Sequence, residues 1–220
     1  MNPMSTRTAE YKDAIEHLPD GSTLIVSGVS WEEYEDLLDD LADQPAVRVS
    51  YDEGTLEIMS PLPEHERYRE FISDIVRVFA EEKNLRLEKL GSTTWKRRQL
   101  RKGAEADTCF YVTNAHRIEG KLDIDLAVDP PPDVIVEIDT TNRSQRKFAI
   151  YAALHVPEIW RYDGKQVEMY ILQNDSYART DTSSFLIALS ASLLTEFLEI
   201  AKTQGQTQSL RLFRERVRRV

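Results

Sequence analysis

Two carboxylates stand inside otherwise apolar, strand-like runs: Asp107 in EADTCFYV and Glu137 in PPDVIVEID. A buried carboxylate without a partner is costly, so each such residue needs a counter-charge, hydrogen-bond donors or a metal. If the two strands are neighbours, Asp107 and Glu137 converge on one cation. One or two carboxylates, completed by waters and a phosphate, is the ligand set that suits Mg²⁺. With 38 acidic residues in the chain, solvation at strand ends explains such a pair equally well. Beyond Glu137 the polar run Ile138-Asp139-Thr140-Thr141-Asn142-Arg143 leads to Ser144, which caps a helix with Lys147 in its first turn. Lys147, Ile150, Tyr151 and Leu154 share one face of that helix. An ammonium there reaches back toward Glu137 and stands beside a reacting phosphate or an attacking water. The competing reading is a lysine whose stem covers apolar surface while its head stays in water. Cys109, within an apolar strand, reads as a small core residue, and His116 and His155 have no setting that suggests chemistry.

The elements that must position these groups are legible from periodicity. Ser30 precedes WEEYEDLLDDL, where Trp31, Tyr34, Leu37, Leu38 and Leu41 recur at helical spacing and Glu33 completes a capping box with Ser30. VRVSYD and TLEIM alternate around Glu53-Gly54, the pattern of a hairpin. Pro61 and Pro63 lead into EHERYREFISDIVRVFAEEK, whose Tyr68, Phe71, Ile72, Ile75, Val76 and Phe79 form an i, i+3, i+4, i+7 stripe. Strands follow near 86–91, 105–112 and 133–138, then a helix near 144–154, then strands near 157–162 and 166–172 turned by Asp163-Gly164. Phe185 to Leu198 adds a strand and a final amphipathic helix. The expected architecture is α/β: an αβββαβ core with a mixed central sheet flanked by helices, preceded by an N-terminal helix and hairpin. It occupies one domain, 11–202, between an N-terminal tail, 1–10, and a basic C-terminal tail, 203–220, whose RLFRERVRRV carries five Arg against one Glu.

Composition bounds the function. The 220 residues carry 28 Lys+Arg against 38 Asp+Glu, a formal net charge of −10, which argues against a non-specific nucleic-acid coat. The average conceals segregation. Lys96, Arg97, Arg98, Arg101 and Lys102 put five cations into seven residues, whereas Trp31 to Asp40 holds six carboxylates in ten. The basic run reads either as a solvated face or as a local grip on a phosphate backbone. One cysteine excludes an intrachain disulfide and a CxxC metal site. No window approaches the roughly 18 apolar residues of a membrane span, and the start lacks the apolar core of a secretion signal. A cytoplasmic protein is expected.

The segments SGVSWEEYEDLL, YDEGTLEIMSPLPEHE, EADTCFYV, PPDVIVEID and KFAIYAALHVPEIWRYDGKQVEMYIL, in this order, resemble the bacterial Uma family of restriction endonucleases, a branch of the PD-(D/E)xK nuclease superfamily. The resemblance runs from about residue 25 to 190. It implies a restriction-endonuclease-like fold and hydrolysis of DNA phosphodiester bonds with Mg²⁺, for which Mn²⁺ substitutes. Asp107 matches the aspartate of the PD motif, with Ala106 where a proline often stands. Glu137 matches the acidic residue of (D/E)xK, but the lysine position holds Asp139. The resemblance therefore implies a catalytic lysine moved to the following helix, for which Lys147 is the candidate. The backbone carbonyl of Ile138 joins Asp107 and Glu137 as a third ligand, and Asp139 is either a further ligand or a loop acid. A first-helix acid often approaches the metal in this superfamily, which brings in Glu64 and His65, although a first-turn acid beside the helix dipole explains them as well. The run from Lys96 to Lys102 would flank the cleft and hold DNA without reading its bases. The rival function is a nuclease fold that has lost part of its chemistry and serves as a nucleic-acid-binding or interaction module. Another phosphate-containing substrate is a third reading, and a homodimer is the expected assembly.

Overall fold

A computed structural model of the chain describes residues 6–41, 47–139 and 145–219. Helix α1 (Thr6–Glu16) and strand β1 (Thr23–Ser27) precede α2 (Trp31–Leu41). The α2 start is the expected capping box: the Glu33 N–H donates to Ser30 Oγ at 3.1 Å, and the Ser30 N–H donates to Glu33 Oε2 at 2.7 Å. VRVSYD and TLEIM become β2 (Arg48–Asp52) and β3 (Thr55–Met59). Glu53 and Gly54 between them have φ of 46° and 105°, the positive values a two-residue type I′ turn requires. Helix α3 (Pro63–Glu82) buries Phe71, Ile72, Ile75, Val76 and Phe79, the stripe read from the sequence.

The chain continues through β4 (Glu88–Leu90), β5 (Thr93–Arg97), β6 (Lys102–Ala106) and β7 (Thr108–Tyr111) to the short α4 (Ala115–Ile118). Strand β8 (Val134–Ile138), helix α5 (Gln145–Ala153) and strands β9 (Glu158–Tyr162), β10 (Val167–Gln173) and β11 (Ser176–Thr180) follow, and α6 (Ala191–Gln204) and α7 (Gln206–Arg218) end the fold. A five-stranded sheet has the order β1-β3-β2-β6-β5 and a six-stranded sheet the order β11-β10-β9-β8-β7-β4. Strands β8 and β9 pair in parallel, linked by α5 as a crossover, while the other pairs are antiparallel. The sequence α3-β4-β7-β8-α5-β9 is the expected αβββαβ core, with β5 and β6 inserted to complete the first sheet.

Three expectations are corrected. The strand expected over 105–112 changes sheets at Asp107: Ala106 pairs with β5 and Thr108 with β8. The reason is local. Asp107 Oδ2 accepts the Ile138 N–H at 2.7 Å, so a side chain replaces the next backbone rung of the β7–β8 ladder. The expected mixed central sheet is the six-stranded one, and it meets the sheet built on the β2–β3 hairpin at this corner. No strand forms at 185, because Ser183 Oγ accepts from the N–H groups of Phe185 and Leu186 and bends the segment into a turn, leaving one bridge, Thr182–Ser190, before α6. The basic segment 203–220 is helical over α7, where Ser209, Phe213 and Val217, four residues apart, are buried on one face. The expected cap Ser144 lies outside the described residues. Among those residues, no helix is long and apolar enough to cross a membrane.

Period-two alternation decides where the site falls. On β2 and β3, Val49, Tyr51, Leu56 and Ile58 pack under Trp31, Tyr34 and Leu37 of α2. The opposite face presents Arg48, Ser50, Glu57 and Met59 to a pocket. On β8, Val134, Val136 and Ile138 join the core beneath α3 and α6, while Ile135 joins the cluster beneath α5. Glu137 shares the Ile135 face and is therefore directed at α5.

Candidate active site

Asp107 and Glu137 sit on adjoining strands at the junction of the two sheets, each 2 % exposed. Asp107 is held from both sides. Its Oδ2 accepts the Ile138 N–H, and its Oδ1 accepts from Arg48 Nε at 3.4 Å. Glu137 is held by α5. Lys147 Nζ lies 2.9 Å from Oε2 and donates also to the Glu105 carbonyl at 2.9 Å, while the Tyr151 hydroxyl donates to Oε1 at 2.5 Å. The shared helical face of Lys147, Ile150, Tyr151 and Leu154 is buried as read, and its two polar members both serve Glu137.

Burial pushes the Glu137 carboxyl up to about 7, against the pull of Lys147 and with the added repulsion of Asp107. Burial by itself would lower the Lys147 ammonium, but the charges of Glu137 and Asp107 hold it above the usual lysine value. The Tyr151 phenol is pushed far up, first by burial and then by Glu137, so it stays a donor. Glu105 is likewise raised by burial. Two mutually repelling carboxylates in one buried corner are an arrangement that a hard divalent cation relieves, and their oxygen chemistry suits Mg²⁺. Among the described residues, no group of three or more His, Cys, Asp or Glu side chains is placed to hold a metal ion. Waters and substrate oxygens would have to complete the shell.

The pocket beside this corner measures about 520 Å³, open mouth included, and its walls include Arg48, Glu57, His65, Glu137, Asp139 and Lys147. Asp139, in the motif's lysine position, is buried and engaged: its Oδ2 accepts from Arg161 Nε at 3.0 Å, and Arg161 Nη1 donates on to Glu168 at 3.0 Å. His65 is buried in the wall, whereas Glu64 is exposed outside it. Its neighbour Glu66 is the α3 acid that turns inward, meeting Arg48 Nη2 at 2.7 Å.

Each cation of the basic run has a partner within the chain. Lys96 meets Glu35 at 3.0 Å, Arg98 meets Glu32 at 3.0 Å and Glu35 at 2.5 Å, and Lys102 pairs with Asp52 and, at 3.3 Å, with Glu53. Arg97 donates to the Leu126 carbonyl at 2.7 Å and Arg101 to the Tyr51 hydroxyl at 3.1 Å. Lys96 and Arg98 thus pair with two of the six α2 carboxylates, and none of the five cations lines the pocket. Sequence reasoning missed Arg48, Glu105 and Tyr151 as parts of the site. It also missed Arg146, exposed beside Lys147 and 3.6 Å from the wall residue Glu57. An arginine inside the apolar VRVSY run was the one available signal for Arg48.

No curated protein matches the chain. Among solved structures, the crystal structure of a protein from Anabaena variabilis ATCC 29413, described as "a putative nuclease belonging to DUF820", is similar over 72 % of this chain and 97 % of its own. The two share 19 % identity with a TM-score of 0.47. A family model, Uma2, described as "Putative restriction endonuclease", matches residues 31–201. That span takes in α2 through most of α6, the whole αβββαβ core and Asp107, Glu137 and Lys147. The chain belongs to the Uma2 family.

Proposed function

We propose that the chain is a divalent-metal-dependent endonuclease that hydrolyses DNA phosphodiester bonds at Asp107, Glu137 and Lys147. The observation that carries this reading is the 2.9 Å contact between Lys147 and Glu137. It puts an ammonium at the acidic pair although the motif's own lysine position holds Asp139. Asp107 and Glu137, with the Ile138 carbonyl, would hold Mg²⁺ or Mn²⁺. When bound, the ion supplies positive charge that polarises the scissile phosphate and acidifies a water. Lys147 orients that water and offsets negative charge as the phosphate is attacked. Tyr151 fixes the second Glu137 oxygen, so the carboxylate keeps one orientation. Arg146, exposed and 3.6 Å from the wall residue Glu57, would contact a phosphate of the bound strand.

The test is conversion of supercoiled plasmid to nicked or linear forms with Mg²⁺ or Mn²⁺, with EDTA as control. Asp107→Ala and Glu137→Ala abolish cutting, and Lys147→Ala slows it by on the order of 10²-fold or more. Cutting that survives loss of both carboxylates, or no cutting with any metal, overturns the reading. Plasmid binding that persists in EDTA without cleavage would instead favour the binding-module function, for which the Asp139–Arg161 pair in place of a lysine is the specific observation.

A further inference from the structure

Arg48 is a guanidinium on a strand interior, 3 % exposed, ringed by carboxylates from three parts of the chain. Glu66 Oε1 of α3 lies 2.7 Å from Nη2, Glu105 Oε1 of β6 lies 3.4 Å from Nη1, and Asp107 Oδ1 at the sheet corner lies 3.4 Å from Nε. Burying an arginine is expensive unless its charge and donors are matched, and here it is matched by the acid of the candidate active site. Asp107 thereby uses its two oxygens in different directions, Oδ1 toward Arg48 and Oδ2 toward the Ile138 amide that follows Glu137. One Asp107 oxygen therefore already faces a fixed cation, where an acid of a two-metal site faces a second ion. Glu66, Glu105 and Asp107 all meet Arg48, while Glu137 meets Lys147. Without Arg48 three carboxylates would lose the cation they share.

We propose that Arg48 takes the place of a second divalent cation, so that the site loads a single ion, and that Arg48 is the positioning residue that holds Asp107 for it. The inference rests on the metal-site reading above and goes beyond it in fixing the number of ions. It makes charge neutralisation on the Asp107 side permanent and independent of metal supply, leaving the Glu137 side for the exchangeable ion.

The experiment counts Mn²⁺ bound to the full chain by calorimetry and by the loss of free Mn²⁺ signal in electron paramagnetic resonance, without substrate. The native chain and Arg48→Lys bind one ion, and Glu137→Ala binds none. Arg48→Met, which keeps the bulk and removes the charge, binds two. Its thermal midpoint falls in EDTA and is restored by Mn²⁺ far more than that of the native chain. Because Arg48→Met strands buried acids, Arg48→Met/Glu66→Gln is measured in parallel. It removes the acid with the most exposed side chain of the three while leaving Glu105 and Asp107 to hold a second ion. Two ions on the native chain, or one ion on a folded Arg48→Met, overturns the proposal while leaving the metal site intact. Failure of both variants to fold even in millimolar Mn²⁺ also overturns it, because an ion then does not replace the guanidinium. No ion on the native chain overturns the metal-site reading itself, and this proposal with it.

Discussion

At the scale of residues, Glu137 makes the protein sensitive to pH near neutrality. Its carboxyl titrates at about 7 in the fold against 4.5 for the free side chain, so the folded state holds the proton more tightly than the unfolded chain. The stability this confers is complete below about 4.5 and is lost as pH rises through about 7. Thermal midpoints measured in EDTA should therefore decline between pH 5 and pH 8, and the decline should disappear in Glu137→Gln. A divalent ion competes with the same proton, so Mn²⁺ affinity should rise with pH up to about 7 and then level off, with proton release measured by calorimetry in buffers of different ionisation enthalpy. An affinity independent of pH across that range would show that Glu137 is not a ligand. Asp107, Glu137 and Lys147 were legible in the sequence because each is a charged residue in an apolar periodic run. Arg48 and Tyr151 were not, because a strand arginine reads as the outward half of an alternation and a helix-face tyrosine as core. Only the neighbouring β6 and β8 turn those positions into polar anchors.

At the scale of elements, the packing of α2 on the five-stranded sheet rests on Gly103. A Cβ at that position would sit 3.0 Å from Lys96 Cβ and closer still to the Tyr34 hydroxyl, and Tyr34 is fully buried and stacked at 4.9 Å on Tyr51. Gly103→Ala must therefore push α2 away from the sheet. It should cost about 1–3 kcal/mol of stability, read from a lower denaturant midpoint with an unchanged slope, and an unaffected midpoint would show that α2 moves freely. The helices, the β2–β3 hairpin and the core strands could be read because hydrophobic period and turn residues agree there. The change of sheet at Asp107 could not, since no turn residue interrupts EADTCFYV and the break comes from a side chain bonding to a distant backbone amide. Strands β1 and β5 escaped notice because five residues with mixed burial leave too little pattern.

At the scale of the whole molecule, α7 shows how charge composition can hide a structural part. Its arginines read as a basic tail, yet Arg214 meets Glu81 and Glu82, Arg218 meets Glu82, and Phe213 is fully buried edge-on to Phe197 at 5.1 Å. Phe213→Ala should cost about 3–5 kcal/mol, enough to lower the thermal midpoint by many degrees. Replacing Arg218 should change it little, because the Arg218 side chain stays largely exposed and Glu82 keeps Arg214 as a partner. Equal effects would mean that α7 is held by charge rather than by its apolar face. Lys96 and Arg98 use the same economy, meeting Glu32 and Glu35 of the acidic α2 within the molecule. The corner at Asp107 carries the largest consequence. Because one residue belongs to neither sheet and joins both, the reacting groups keep their spacing only while the two sheets stay docked. A slip of about 1 Å is enough to lower a rate on the order of 10²-fold, long before either sheet has melted. Under the proposed chemistry, a damaged or half-assembled copy is therefore a silent one: the seam acts as a safety catch that disarms a DNA-cutting protein before it loses its shape.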